Sequence, residues 1–337
     1  MKATINDVAK QAGVSIKTVS RVMNNEPSVR QPTREKVMAV VEALNYQPNL
    51  AARNLAGSKA YSIAFIYDNP NAYYVIDMQN GILQACKKLG FELLIHPCSA
   101  KSDDLLESIT NMIKHSRIAG LILTPPFSEN PEFVQHLLAL DVDIVRIMSG
   151  NEKPDDLAPC IMINDFEASL CITQHLIDLG HKDIGFIAGE AEHMSTVERL
   201  KGYKQALKNN DIPIDEQLIV QGTYSFESGV NGAKHLLTSS RKPSAIFSCN
   251  DEIAAGALFA SRLMGVAIPE ELSITGFENS PFSRQTWPRL TTADQPTLQI
   301  AENAANLLIA TSRKQPLKNI TTQYTPQLIV RDSTSQQ

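Results

Sequence analysis

AGVSIKTVSRVMNN, residues 12–25, is the stretch on which the reading of this chain turns. Val19, Val22 and Met23 recur at helical spacing and form one apolar face. Ile16, Lys17 and Arg21 fall on the other face, a large apolar residue mixed with two cations. A helix that only packs against a core has no use for that mixture. Just upstream, Thr4-Ile5-Asn6-Asp7 has the form of a capping box, in which Thr4 caps a first helix and Asp7 reaches back to its backbone N–H. Val8, Ala9 and Ala12 share one side of that helix. Gly13, free to adopt the left-handed conformation, ends it, and Ser15 caps the next. Two short helices joined by a Gly-containing turn make a helix-turn-helix. A third helix is expected from about Thr33 to Asn45, with Val37, Val40, Val41 and Leu44 as its buried stripe.

The outward face of the second helix then has a task. In this motif it enters the major groove of double-stranded DNA. Arg21 suits a guanine edge and Ile16 a thymine methyl, with Lys17 beside them. Thr18, Ser20 and Asn24 are short polar groups suited to phosphate oxygens, which fix register rather than read sequence. Thr4 and Ser15, at the two helix N-termini, complete the DNA-facing set. The alternative is a plain three-helix bundle with a solvated face, which does not require this cap-turn-cap spacing. Charge agrees with the DNA reading. Residues 1–60 hold nine Lys and Arg against four acids, a net of +5, whereas the remainder carries −10. A basic head on an acidic body fits a polyanion-binding module joined to something else.

Residues 46–60 read YQPNLAARNLAGSKA. Pro48 is expected to stop the third helix, and Asn49 to cap a short new one over Leu50–Ala56, with Asn49, Ala52 and Leu55 as its DNA-facing residues. That segment is too short to persist alone in water. Leu55 has no core to enter. It is either an incidental linker leucine or an apolar wedge for the minor groove, on a hinge that becomes helical only on DNA.

T-I-N-D-V-A-K-Q-A-G-V-S-I-K-T-V-S-R-V-M-N, T-R-E-K-V, L-N-Y-Q-P-N and A-R-N-L-A-G together resemble the DNA-binding domain and hinge of the lactose/galactose repressor (LacI/GalR) family, densely over residues 3–57. The resemblance implies a homodimer whose recognition helices read a near-palindromic operator, with paired hinge leucines kinking the central base step.

From Tyr61 the texture changes. SIAFIY, FELLIHP, GLILTP, DIVRIM, CIMIN, DIGFIAG, LIVQG, AIFSCN and LSITGFEN alternate with helical patterns. Continuous apolar strands between amphipathic helices imply parallel sheets covered on both faces. There are too many units for one ordinary sheet, so two doubly wound subdomains are expected. Ligands in such sheets bind outside the carboxyl ends of the strands. That rule selects Asp68, Asn69 and Tyr73, then Thr124, Asn164 and Asp165, Asn250 and Asp251, Glu278 and Asn279. Arg199 lies early in a helix after a strand, and Tyr224 opens YSFESG. Amides and carboxylates hydrogen-bond hydroxyls, and an aromatic ring covers the apolar face of a sugar. Taken singly, each of these residues is an ordinary strand-end or turn residue; the group points to a sugar site.

HLIDLGHKDIGFIAG, ERLKGYKQAL, AIFSCNDEIAAGAL, IPEELSITGFEN and PRLTTA extend the resemblance over nearly the whole chain. They are similar to the effector-binding core of the same family, which resembles periplasmic sugar-binding proteins: two α/β subdomains, three crossovers and a ligand in the cleft. By that resemblance Arg199 matches the effector-clamping arginine, Tyr224 a stacking aromatic, and Asn250 and Glu278 pocket positions. The fold expected is therefore an N-terminal all-α helix-turn-helix domain (1–48), a hinge (49–60) and a periplasmic-binding-protein-like core (61–337). Within the core, one subdomain is placed at about 61–160 and 291–320, the other at about 161–290 and 321–332. One departure stands out. The family usually has two aspartates after G-F or G-Y, where this chain has Glu278 and Asn279. The longer Glu278 should reach deeper into the cleft, and the lost charge at 279 should alter contacts between lobes.

The function expected is a sequence-specific transcriptional repressor, released from its operator by a sugar or glycoside. The same fold using a purine or nucleoside as co-repressor stays open, and so does the sign of the switch. Two functions from other classes compete with it. An enzyme on a nucleotide-binding sheet would show G-x-G-x-x-G after a strand, a G-x-x-x-x-G-K-[ST] loop or a G-x-S-x-G elbow; the chain has none of them. An architectural DNA binder would not carry the polar strand ends. No catalytic residue, cofactor or metal is expected, since the five cysteines are scattered without ligand spacing. With no export signal and no apolar run long enough to span a bilayer, the expectation is a cytoplasmic protein without membrane contact. The C-terminal LIVRDSTSQQ carries no leucine heptad, so a dimer is expected rather than a tetramer.

Overall fold

The computed structural model describes residues 3–23, 28–46, 60–69, 71–150, 154–317 and 319–337. It divides into two units, Met1–Tyr61 and Ser62–Gln337. In the first, the capping box forms as written. Thr4 Oγ1 accepts from the Asp7 N–H at 3.4 Å, and the Thr4 N–H donates to the Asp7 carboxylate at 2.8 Å. The Thr4 hydroxyl, which donates to the Asp7 carboxylate at 2.7 Å, and then the Thr4 N–H hold that carboxyl below its ordinary range. They start α1, Ile5–Ala12, which Gly13 ends at φ 61°. Ser15 Oγ accepts from the Thr18 N–H at 3.1 Å and starts α2, Ile16–Met23. α3 runs Gln31–Ala43, beginning earlier than expected because Pro32, with φ already helical, occupies its first turn. Val8, Ala12, Val19, Val22 and Val37 are buried where the three helices meet, with Val40, Leu44 and Met23 packed at the margin.

The second unit contains two parallel sheets. The first is built from β1 (Ser62–Tyr67), β2 (Glu92–Pro97), β3 (Gly120–Leu123), β4 (Asp143–Ser149), β5 (Cys160–Ile163) and β11 (Thr321–Tyr324). Their order is β11-β5-β4-β3-β1-β2. Helices α4 (Ala72–Leu89), α5 (Leu105–Ser116), α6 (Pro131–Leu138) and α12 (Thr297–Ser312) belong to this lobe. α4 and α12 cross closely at Gly81, where an added Cβ would sit 2.2 Å from the Leu298 carbonyl oxygen. The second sheet has the order β7-β6-β8-β9, from β6 (Ile184–Ile187), β7 (Ile219–Val220), β8 (Ala245–Ser248) and β9 (Ser273–Thr275). Helices α7 (Asp165–Asp178), α8 (Met194–Asn209), α9 (Phe226–Thr238) and α10 (Asp251–Leu263) cover it. A short helix, α11 (Pro281–Gln285), and an antiparallel pair, β10 (Thr292–Asp294) with β12 (Gln327–Ile329), complete the unit.

Strands β1, β3, β5, β6 and β8 are apolar runs with buried centres, since helices cover both faces of each sheet. The chain passes between lobes at three places: after β5, after β10 and after β11. The expected subdomain limits need correction at all three: Thr292–Asp294, assigned to the first lobe, pairs with β12 of the second. Thr321–Tyr324, assigned to the second lobe, pairs with β5 in the first sheet. β5 itself spans the expected boundary at 160/161 and belongs wholly to that sheet.

Candidate functional site

α2 presents Ile16, Lys17 and Arg21 as exposed side chains, with Ile16 half exposed at 50%. Thr4 and Ser15 are also exposed at their caps, whereas Thr18 and Ser20 are half-buried. Part of Thr18 is already committed, since its hydroxyl lies 2.9 Å from Ser15 Oγ. Asn24, Asn49, Ala52 and Leu55 lie outside the described residues.

In the second unit the strand ends converge on a cleft between the two sheets. Its walls include Asn69, Asn71 and Tyr74 from the first lobe and Ser195, Arg199 and Tyr224 from the second. Ser149, Asp165, His193, Glu278 and Gln295 complete its polar lining. Asp165 stands at the first N-terminal turn of α7, directly after the β5 crossing. Its carboxylate accepts from Arg199 Nε at 2.8 Å and from Ser149 Oγ at 2.5 Å. Arg199 also donates through Nη1 to the Cys249 carbonyl at 2.6 Å and lies 3.8 Å above the Phe277 ring. Burial opposes its charge, but Asp165, Tyr224, Cys249 and Glu278 together more than offset this and raise its pKa. Tyr224 places its hydroxyl 2.9 Å from Ser195 Oγ and 2.7 Å from Thr196 Oγ1, with His193 edge-on to its ring.

Glu278 follows β9 with a left-handed backbone, φ 99°, held by its N–H bond to the Ala293 carbonyl at 2.9 Å. Its carboxylate crosses the cleft and accepts from Asn71 Nδ2 at 2.6 Å. Asn71 in turn caps α4, accepting from the Tyr73 and Tyr74 N–H groups at 3.1 and 3.2 Å. Burial pushes the Glu278 carboxyl up to about 8; Arg199, 3.9 Å away, opposes this, and buried Asp251 adds to it. Glu129 ties the lobes in a second place. It accepts from the Ser149 N–H at 2.9 Å and the Met194 N–H at 3.3 Å, and burial pushes it up to about 7.

Asn69, Asp165 and Glu278, from the strand ends, thus line one cleft with Arg199 and Tyr224. Asn164, Asp251 and Asn279 stand outside the lining, and so do four others. Asp68 accepts from the Ala100 N–H at 2.7 Å, beside the strand β2 exit. Tyr73 turns edge-on to Phe282 at 5.5 Å between ring centroids. Thr124 is buried at the end of β3 and donates to the Ile66 carbonyl at 3.4 Å. Asn250 is buried as the cap of α10, accepting from the Ile253 N–H at 2.8 Å. Each does local work at a strand end or helix start. Asn71, Ser149, Ser195, His193 and Gln295 were not selected from the sequence. Ser149 closes β4, so the strand-end rule applied to it as well as to Thr124. At 279 the amide serves as two partners at once. Asn279 Nδ2 donates to Asp294 at 2.8 Å and its oxygen accepts from Arg331 at 2.6 Å. An aspartate there would face Asp294 with like charge.

Residues 4–49 match the model of bacterial regulatory proteins of the lacI family, and residues 173–334 match the periplasmic binding protein-like domain. Catabolite control protein A of Priestia megaterium is 31% identical over 99% of this chain and its own full length. The chain belongs to the LacI/GalR family of transcriptional regulators. A PurR repressor of Actinobacillus pleuropneumoniae is 33% identical, covering 97% of this chain and 95% of its own. Among solved structures, the Lac repressor dimer bound to operator and the anti-inducer ONPF aligns with a TM-score of 0.77 and 26% identity, over 99% of this chain and 100% of its own. The regulator CelR in complex with cellobiose aligns with a TM-score of 0.75 and 26% identity, over 98% and 99%. A DNA-binding regulator with a helix-turn-helix and a periplasmic-binding-protein-like body is therefore the family function of this LacI/GalR member. Among the described residues no helix is long and apolar enough to cross a membrane.

Proposed function

We propose that this protein is a homodimeric repressor of carbohydrate-utilisation genes, released from a near-palindromic operator when a sugar or glycoside enters the cleft. It acts in the cytoplasm and catalyses no reaction. The observation that carries the sugar reading is the lining itself. Carboxylates, amides and hydroxyls from both lobes face one another around Tyr74 and Tyr224, the group types that bind a ring of hydroxyls and cover its apolar face. The cellobiose complex of CelR supports it. Relatives named PurR favour a purine co-repressor as the second reading.

The DNA reading rests on the exposed Ile16, Lys17 and Arg21 and on the lacI-family match. Dimerisation is supported by the Lac repressor dimer. It is supported also by an apolar groove on α10 and α11, where Phe259, Leu263 and Trp287 are exposed beside Phe226 and Phe282.

The test is selection of duplexes from a random pool by the full-length protein, followed by titration of the selected site with sugars and purines. We expect an inverted repeat, and a sugar that weakens binding by about 5–150-fold, the range of ordinary allosteric coupling. A purine that tightens binding, with sugars silent, would establish the co-repressor reading instead. No sequence preference in the selected pool would defeat the whole reading.

A further inference from the structure

The two lobes hold each other through carboxylates. Glu278, on the second lobe, accepts from Asn71 of the first at 2.6 Å. Glu129, on the first, accepts from the Met194 N–H of the second at 3.3 Å and from the Ser149 N–H of its own lobe at 2.9 Å. The chain joins the lobes by three crossings, an architecture whose natural motion is hinged closing and opening of the cleft. As the lobes stand, 13% of the Glu278 side-chain surface is exposed. Parting them would take from each glutamate both its bond to the facing lobe and the cover of that lobe, and put water in their place.

The groups around the two glutamates do not make up for the lost water. Arg199 lies 3.9 Å from Glu278, but gives Nε to Asp165 and Nη1 to the Cys249 carbonyl. Asp251 and Asp165 add negative charge from α10 and α7. Asp294, across a backbone bridge from Glu278, is held by Asn279 Nδ2. The Tyr74 phenol of α4 faces both glutamates. Glu129 also faces Asp165 and Glu198, and Lys201 holds Glu198 at 2.7 Å. His193, next to Met194, is kept neutral at pH 7 by burial. Enclosure therefore favours the protonated carboxyl at both places, and pushes Glu278 up to about 8 and Glu129 up to about 7 from an ordinary 4.5. Burial pushes Asp251 up to about 7 as well, but its donors, Thr292 and the Ser280 N–H, belong to its own lobe.

We propose that closing the cleft takes up protons, one at Glu278 and one at Glu129, so that acid draws the lobes together and alkali parts them. On closing, each carboxylate binds a proton from water as its charge leaves solvent; on opening it returns that proton and is hydrated. The arrangement whose carboxyls hold protons more tightly is the one favoured as pH falls. This coupling belongs to the lobes and holds whatever ligand the cleft takes. A ligand that acts by moving the lobes is then biased by pH, and in return shifts the proton uptake.

The experiment is energy transfer between dyes on the two lobes, at the exposed positions Lys101→Cys and Glu227→Cys. It uses full-length protein carrying Cys98→Ser and Cys171→Ser, diluted into unlabelled protein so that pairs across an oligomer stay silent. From pH 8.5 to pH 6 the ratio of closed to open should rise by on the order of 100-fold, since each unit by which closure raises a carboxyl contributes about tenfold. Glu278→Gln keeps an acceptor for Asn71 but takes no proton, and the rise should shrink to about tenfold. In the double variant Glu129→Gln, Glu278→Gln it should vanish. Where the dyes show one state throughout, protection of the Met194 N–H against hydrogen exchange, corrected for the base catalysis of exchange itself, reads the rare opening. That protection should fall with rising pH in the wild type and stay level in the double variant. A wild type whose opening ignores pH by both measurements overturns the proposal. So does a double variant that keeps the wild-type response, because the protons then bind elsewhere.

Discussion

Arg199 and Asp165 are both buried, and each neutralises the other. Removing one partner of such a pair leaves an unpaired charge in low dielectric. Arg199→Ala should therefore lower body stability by about 3–5 kcal/mol, read as a shift in the urea midpoint. An unchanged midpoint would show that water reaches the pair. The variant is for that reason a poor probe of ligand response, which sequence alone did not reveal: the arginine was legible as a ligand clamp, but its partner in space was not. Glu278 behaves differently. Its folded pKa of about 8 lies above the ordinary 4.5, so the folded state binds its proton more tightly than the unfolded one. Its contribution to stability is full below about pH 4.5 and is lost as pH rises through about 8. Glu278→Gln should flatten the fall in melting temperature between pH 5 and pH 8, and an undiminished slope would shift the effect to Glu129 and Asp251. Arg21→Ala should cost roughly 1–3 kcal/mol at one base pair of each half-site. Equal losses on selected and random DNA would reduce Arg21 to a phosphate contact.

At the scale of the element, capping and close approach decide. Ser15→Ala removes the acceptor for the Thr18 N–H and should destabilise the first unit by about 1 kcal/mol, while the melting of the second unit stays where it was. A single shifted transition for the whole chain would show that the two units melt together. Elements with a periodic or continuous apolar pattern were legible in the sequence: α1, α2 and the buried strands fall where the residues require. β11 and β12 were not. TTQY is polar and largely exposed at the margin of its sheet, and QLI is a three-residue strand, half-buried, too short for periodicity to mark it. The cleft was legible only in part for a related reason. Strand-end position identifies candidates, but Asp68, Thr124 and Asn250 spend their polar atoms on their own loops and caps. Asn71 gains its role from Glu278 of the opposite lobe, far away in sequence, and Ser149 gains its role from Asp165, just past the first crossing.

For the whole molecule, the asymmetric charge of head and body bears on binding to a polyanion. Each phosphate neutralised contributes a slope near −0.9 in log K against log salt. Operator affinity should thus fall steeply with salt, and a nearly flat dependence would mean that the +5 of residues 1–60 does not face the backbone. The three crossings between lobes have a consequence for synthesis. β5 emerges from the ribosome some 160 residues before β11, its neighbour in the sheet. Until residues 321–324 follow, the growing chain holds a bare strand edge of buried composition, Cys160–Ile163. Neither lobe is a continuous segment, so neither completes itself while the chain is being made. Residues 62–163 expressed alone should aggregate through that edge, and adding the 297–324 segment in trans should suppress it. This part of the family fold waits for β11, and during that wait its open edge can take wrong partners.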